Sequence, residues 1–178
     1  TALEHLGELG AKAIAMHFST PGGTVTGVPE AAAAIRAFSM NVAPVHSYTD
    51  TLCASAGYYL AAAADTFTAA ESANIGSIGV YSAVIDSSGY YERAGIKVRL
   101  MASGWVKGQG MPGTVPSPEY LDSVKADVMR HAERFWEHVT ARRGDAIIRE
   151  SACVNAASKT KITPAAWAAR IMQGQSWA

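Results

Sequence analysis

The chain has 178 residues, 49% of them hydrophobic and 17% charged, with 15 Lys plus Arg balanced by 15 Asp plus Glu. That is an ordinary globular composition with enough material for one domain and a sizeable core. The charge balance argues against nucleic acid or another bulk electrostatic partner. Cys53 and Cys153 show no CxxC or Cys/His spacing, which argues against a disulfide framework or a metal site and leaves them as small buried side chains.

Residues 3–11 predict a helix and Lys12–Phe18 a short buried strand. Ser19-Thr20-Pro21-Gly22-Gly23 breaks that strand sharply. Residues 28–40 predict a helix with Pro29 in its first turn. Pro44–Thr51 reads as the next strand, Ala56–Ala64 as an apolar helix ending before Asp65, and Thr66–Ala70 as another short strand. An apolar run, Ile78–Ile85, is followed by a short helix over 87–94 and a strand over Lys97–Met101. Residues 104–118 are loop-like, with five Gly or Pro in the first ten. Pro118 to about Arg143 predicts a long amphipathic helix closed by Gly144, and Ala146–Ala152 and Pro164–Met172 predict final helices.

Strands alternating with helices imply an α/β fold of βαβ units with a mostly parallel sheet. No linker or repeat divides the chain, so residues 1–178 are expected to form a single domain. No run of 18 apolar residues predicts a transmembrane helix, and no signal peptide is visible. The chain starts at Thr1 without Met and stops at Ala178 without a stop signal, so a piece trimmed at one or both ends is expected.

Three segments carry candidate chemistry. In Asp50-Thr51-Leu52-Cys53-Ala54-Ser55-Ala56-Gly57, a strand runs into a helix with Ser55 at the junction. A serine there sits where a helix N-terminus stabilises an oxyanion, and small neighbours let a substrate backbone approach. The competing reading is an ordinary N-cap serine. In Pro21-Gly22-Gly23, glycines at a turn can aim backbone N–H groups at a ligand, as an oxyanion hole requires; one such donor contributes about 3–4 kcal/mol to transition-state binding. The competing reading is a plain turn, and no Gly-Lys-Ser/Thr follows to make a phosphate loop. In Gly104-Trp105-Val106-Lys107-Gly108, one lysine lies among apolar and glycine residues. Burial disfavours the ammonium and leaves an amine able to take a serine proton, whereas a solvated loop lysine would have no such role.

A histidine base is the rival. His17 and His46 lie in predicted strands, and Asp50 or Asp65 could orient one of them in a Ser/His/Asp triad. No spacing singles that set out. His131 and His138 are seven apart on the long helix, as solvated or helix-contact residues would be.

Together these segments resemble the signal peptide peptidase A family, which includes the serine–lysine prohead proteases of tailed phages. The resemblance covers roughly residues 12–143 and rests on Ser55-Ala56-Gly57-Tyr58-Tyr59, Ala63-Ala64-Asp65, an intact Gly76-Ser77-Ile78-Gly79, and Lys107 at 52 residues after Ser55. It implies a ClpP/crotonase-type βαβ superhelix. It also implies Ser55 as nucleophile, Lys107 as general base, and Ser77 as the residue that orients the lysine. The implied oxyanion donors are Ala56 and Gly23, with Gly22 the second choice for the turn. Two departures stand out: Ser19-Thr20 replaces the family's Asn-Ser before Pro-Gly-Gly, and Ala56 replaces a glycine after the nucleophile.

The expected activity is serine endopeptidase through an acyl-enzyme, without metal or cofactor. The Lys107 surroundings look more like the phage and prophage branch, which favours capsid maturation over signal peptide digestion. Expected partners are a peptide or protein substrate and further copies of the chain. Localisation stays open between a cytoplasmic or virion-associated phage protein and a membrane-anchored peptidase. Two alternatives share the fold: a crotonase-type acyl-CoA enzyme, and a non-catalytic assembly protein.

Overall fold

The computed structural model describes residues 2–150, with side chains through Arg143. These residues form two compact units, one of residues 2–79 with 132–150 and the other Val80–His131.

In the first unit, helix α1 (Ala2–Glu8) leads to strand β1 (Ile14–His17), then α2 (Val28–Asn41) and β2 (Val45–Thr49). Gly27 takes φ 83° to turn the chain into α2, and a proline in the first turn fits the helix start. Buried Ala32, Ile35 and Phe38 recur at helical spacing and form one face of α2. In β2, Val45, Ser47 and Thr49 point inward and His46 and Tyr48 outward, the period of two that a pleated strand imposes. Strand β1 pairs with β2 and β2 with β4 (Thr66–Ala69), both parallel, in the order β1-β2-β4. The core beside this sheet joins Ile14, Val45, Ala63 and Ala64 to the buried face of α2. The expectation of an α/β fold with parallel strands holds.

The sequence reading missed one feature of the sheet. After Asp50 the chain leaves the first sheet, and Leu52–Ala54 forms a separate strand, β3, before helix α3 (Ala56–Ala62). Its parallel partner is β5 (Asn74–Gly76), with Ala54 opposite Gly76. Three-residue strands are too short to show a period, so the sequence did not announce them.

Asp65 ties three elements together. Its carboxylate accepts hydrogen bonds from Val45 N (2.9 Å), Ser39 Oγ (2.6 Å) and Arg36 (3.0 Å). The bonds from Ser39 and the Val45 amide lower its pKa most. The Ala63-Ala64-Asp65 signature is thus a structural joint, not a histidine-orienting group.

In the second unit, α4 (Ser88–Arg93) is followed by turns and by the start of α5 (Pro118–Glu150). Lys97–Met101 does not form the expected strand, and the apolar run Ile78–Ile85 forms no regular element. A strand needs a neighbour to receive its backbone bonds, and β propensity alone does not hold one. Helix α5 also runs past Gly144 to Glu150, because Asp145-Ala146-Ile147-Ile148-Arg149-Glu150 continues a helix-forming sequence. A single interior glycine costs only about 1 kcal/mol. The helices expected beyond Glu150, and Cys153, lie outside the described residues.

From Ala132 onward, α5 belongs to the first unit. Phe135 and Val139 are buried there. Phe135 meets Tyr59 edge-on at 5.1 Å, and His138 stacks on Tyr59 at 3.9 Å with 7° between planes. Arg143 reaches the carbonyls of Ala61 (3.4 Å), Ala64 (2.9 Å) and Asp65 (3.3 Å). It thereby donates to carbonyls at the end of α3 and just beyond it. Among the described residues, no helix is long and apolar enough to cross a membrane.

Candidate active site

The corner between β3 and α3 is built around Ser55. Its backbone sits at φ 52°, ψ −124°, a region that non-glycine residues rarely occupy. Such a conformation costs on the order of 1–3 kcal/mol and persists only where neighbours impose it. Here the Ser55 N–H donates to the Gly76 carbonyl (2.8 Å) and the Ser55 carbonyl accepts from Tyr59 N (3.0 Å). The Ser55 side chain makes no capping hydrogen bond. Ser55 thus holds the N-cap position of α3 through its backbone carbonyl, while its hydroxyl makes no capping bond.

Strand register sets what lies beside this serine. Ala54 pairs with Gly76, so the next residues along the two strands are Ser55 and Ser77. Ser77 also has a positive φ, 54°. The chain thus turns sharply at both serines, where β3 and β5 end.

The glycine turn comes from the end of β1. Thr20 forms a bridge to Cys53, with Thr20 N donating to Leu52 O (2.8 Å) and Ala54 N to Thr20 O (3.0 Å). Gly22 adopts φ 110°, and a Cβ there would fall 2.6 Å from Ser55 Cβ and 3.1 Å from Ala56 N. Only glycine permits that approach. The Gly22 N–H is already bonded to Thr20 Oγ1 (3.1 Å). Among the described residues, the Gly23 N–H and the Ala56 N–H have no hydrogen-bond acceptor. Ala56 is the first residue of α3, where no intrahelical acceptor exists. Both residues line one cavity of about 390 Å³, whose apolar wall includes Phe18, Val28, Ala31 and Leu60.

Cys53, directly before this corner, is fully buried, and burial pushes its thiol up to about 11. It stays protonated at neutral pH and does not compete as a nucleophile.

The first unit therefore gathers Ser55, Ala56, Gly22 and Gly23, with Ser77 at the paired strand end. Lys107 belongs to the second unit, where it is exposed in a turn with its N–H donating to the Gly104 carbonyl (3.1 Å). Three of the histidines are engaged elsewhere. His17 Nε2 meets Asp50 Oδ1 at 2.9 Å, His46 Nδ1 meets Thr66 Oγ1 at 2.6 Å, and His138 Nε2 donates to Tyr59 O at 3.0 Å. None of these bonds involves Ser55. Among the described residues, no group of three or more His, Cys, Asp or Glu is placed to hold a metal. Sequence reasoning quoted Gly76 and Thr20 within its motifs but gave neither a role: the Gly76 carbonyl holds the Ser55 amide, and the Thr20 hydroxyl holds the glycine turn.

A strained serine at a strand-to-helix corner, near backbone N–H groups without acceptors on a parallel α/β frame, is an arrangement that serine hydrolases use. Residues 37–159 match Peptidase family S49, and the chain belongs to that family. It is 29% identical over 124 residues to an Enterococcus faecium protein named signal peptide peptidase SppA, a match covering 70% of the chain and 36% of the relative. It is also 29% identical over 131 residues to the capsid assembly protease C of Escherichia phage lambda, covering 74% of the chain and 30% of that protein. The chain thus spans about a third of the length of these curated relatives.

Proposed function

We propose that this chain is the catalytic part of a serine endopeptidase that works through Ser55 and Lys107. The observation that carries the reading is the Ser55 corner. A strained, uncapped serine stands beside the Gly23 and Ala56 N–H groups, and those two donors open into a cavity with an apolar wall.

The mechanism has the following steps. The neutral Lys107 amine takes the Ser55 Oγ proton as Oγ attacks the scissile carbonyl. Gly23 and Ala56 N–H groups hold the oxyanion. Ser77 orients the amine. The tetrahedral species collapses, the C–N bond breaks, and the Lys107 ammonium returns its proton to the leaving amine. Water then attacks the Ser55 ester, giving its proton to Lys107, and the carboxylate product leaves as Ser55 is restored. This route needs the Lys107 amine desolvated in the working enzyme.

Within this activity, capsid maturation is favoured over signal peptide digestion by the Lys107-x-x-Gly110-x-Pro112-Gly113 stretch. Both relatives named above have the same identity to the chain, so identity does not choose between them. Assembly into a homo-oligomer is supported by apolar side chains that the second unit leaves exposed, among them Tyr81, Met101 and Trp105. An acyl-CoA reading lacks support, because the family is one of peptidases.

Casein cleavage by the complete gene product tests the dyad. The expected result is loss of cleavage in Ser55→Ala and in Lys107→Ala, each by at least about 10⁴-fold, with no further loss in the double variant. Retained cleavage in Lys107→Ala would remove lysine from the mechanism. Retained cleavage in Ser55→Ala would remove the nucleophile. Cleavage of a purified capsid scaffold but not of a signal peptide would support the phage role, and the reverse would overturn it.

A further inference from the structure

We propose that Thr20 is a positioning residue of the oxyanion turn, the group that selects Gly23 over Gly22 as the turn's donor. The inference rests on the serine-peptidase reading above and concerns a residue that the sequence motifs left without a role.

The Pro21-Gly22-Gly23 turn offers two neighbouring N–H groups, and an oxyanion hole needs one of them at a fixed place. Thr20 decides which. Its Oγ1 accepts the Gly22 N–H at 3.1 Å, which takes that donor out of use. The Gly23 N–H keeps no partner among the described residues and lines the cavity that Ala56 also lines. The same threonine anchors the turn to the nucleophile strand. Thr20 N donates to Leu52 O (2.8 Å), and its carbonyl accepts from Ala54 N (3.0 Å), one residue before Ser55.

The threonine methyl adds a third hold. A Cβ placed on Gly57, in the first turn of α3, would collide with Thr20 Cγ2. A larger residue at position 57 would require Thr20 to shift. One residue thus fixes the turn through its hydroxyl, abuts α3 through its methyl, and joins β3 through its backbone. Gly22 can then sit against Ser55 with a hypothetical Cβ only 2.6 Å from Ser55 Cβ. Such an arrangement leaves little slack, so releasing the hydroxyl moves the Gly23 N–H relative to Oγ of Ser55.

Thr20 touches no reacting atom in this account; it acts through Gly22 and Gly23. Losing its hydroxyl should act on the transition state more than on the bound substrate, because the oxyanion exists only after attack. A misplacement of about 1 Å near a reacting centre costs on the order of 10²-fold in rate.

The test uses the complete gene product, a fluorogenic peptide cleaved by the wild type, and a peptide aldehyde that forms a tetrahedral adduct with a serine nucleophile. Thr20→Val keeps the shape and the methyl but loses the hydroxyl. It should lower kcat by on the order of 10–10²-fold with KM nearly unchanged, and weaken the aldehyde by the same factor. Thr20→Ser keeps the hydroxyl and should retain wild-type kcat and aldehyde affinity. Should Thr20→Val not fold, Thr20→Ser against Thr20→Ala gives the same comparison with smaller side chains. A wild-type kcat in Thr20→Val or Thr20→Ala overturns the inference. So does a Thr20→Ser variant as impaired as the variant lacking the hydroxyl, since the methyl would then be what matters. If the wild type cleaves no peptide, or if cleavage survives Ser55→Ala, the serine-peptidase reading fails and the role of Thr20 falls with it.

Discussion

The two units of this chain are built on opposite terms. The first holds every strand among the described residues, and its interior includes Val45, Cys53, Ala61 and Val139 at 0% exposure. Asp65 and Arg143 tie its elements together. The second unit contributes no residue to the buried core, and leaves Tyr81 and Met101 at 91% and 90% exposure. The proposed nucleophile and oxyanion turn lie in the unit whose packing can hold a backbone under strain. The proposed base lies in the unit whose apolar surface is uncovered. A strained serine requires a rigid frame around it, because a loose corner would relax to ordinary dihedrals. The base carries no such requirement, and its unit can gain cover on assembly.

Core truncation separates the units by the widest margin. Phe135→Ala should cost about 3–5 kcal/mol in urea unfolding, as a buried phenylalanine does. Met101→Ala should stay within about 0.5 kcal/mol, as exposed positions do. Equal costs would mean that the second unit has a covered core in solution, and the comparison would break.

Gly22→Ala probes the tightest approach in the first unit. The added Cβ meets Ser55 and forces a residue into φ 110°. A loss of about 1–3 kcal/mol in stability is expected. Peptide turnover should fall by on the order of 10²-fold.

The strain at Ser55 can be measured directly. Ser55→Gly should be more stable than Ser55→Ala by about 1 kcal/mol in thermal unfolding, because glycine takes positive φ without penalty. Equal stability of the two variants would remove the strain from the account.

The smallest effect concerns pH. Burial lowers the His138 pKa from its ordinary 6.5. The unfolded chain then binds more protons than the folded one just below 6.5, so stability falls as pH drops through that value. His138→Phe keeps a ring to stack on Tyr59 and should flatten the stability profile there. A profile unchanged by the substitution would place the pH dependence elsewhere.

Much of the first unit was legible in the sequence. The strand over Pro44–Thr51, the helix over residues 28–40 with its apolar Ala32, Ile35 and Phe38, and the Pro21-Gly22-Gly23 break each carry a local pattern, whereas the inward face of β2, with Ser47 and Thr49, does not. Ser55 was legible as a junction residue, yet its cap and nucleophile readings could not be separated there. What separates them is the Gly76 carbonyl, 21 residues along the chain, and an uncapped side chain. The β3–β5 sheet was hidden because three-residue strands have no period. Lys97–Met101 misled for the opposite reason: its pattern suits a strand, but no neighbouring strand pairs with it. Gly144 misled because a glycine signals a helix end only when the residues after it stop favouring helix.

The proposed pairing of Ser55 with Lys107 is open to a direct test. The direct measurement is peptide mapping by mass spectrometry after reaction of the complete gene product with a fluorophosphonate. The account predicts one phosphonylated residue, Ser55, in the wild type, and labelling slowed by at least about 10²-fold in Lys107→Ala. Full-rate labelling of Ser55 in Lys107→Ala, or labelling at another serine, would contradict it.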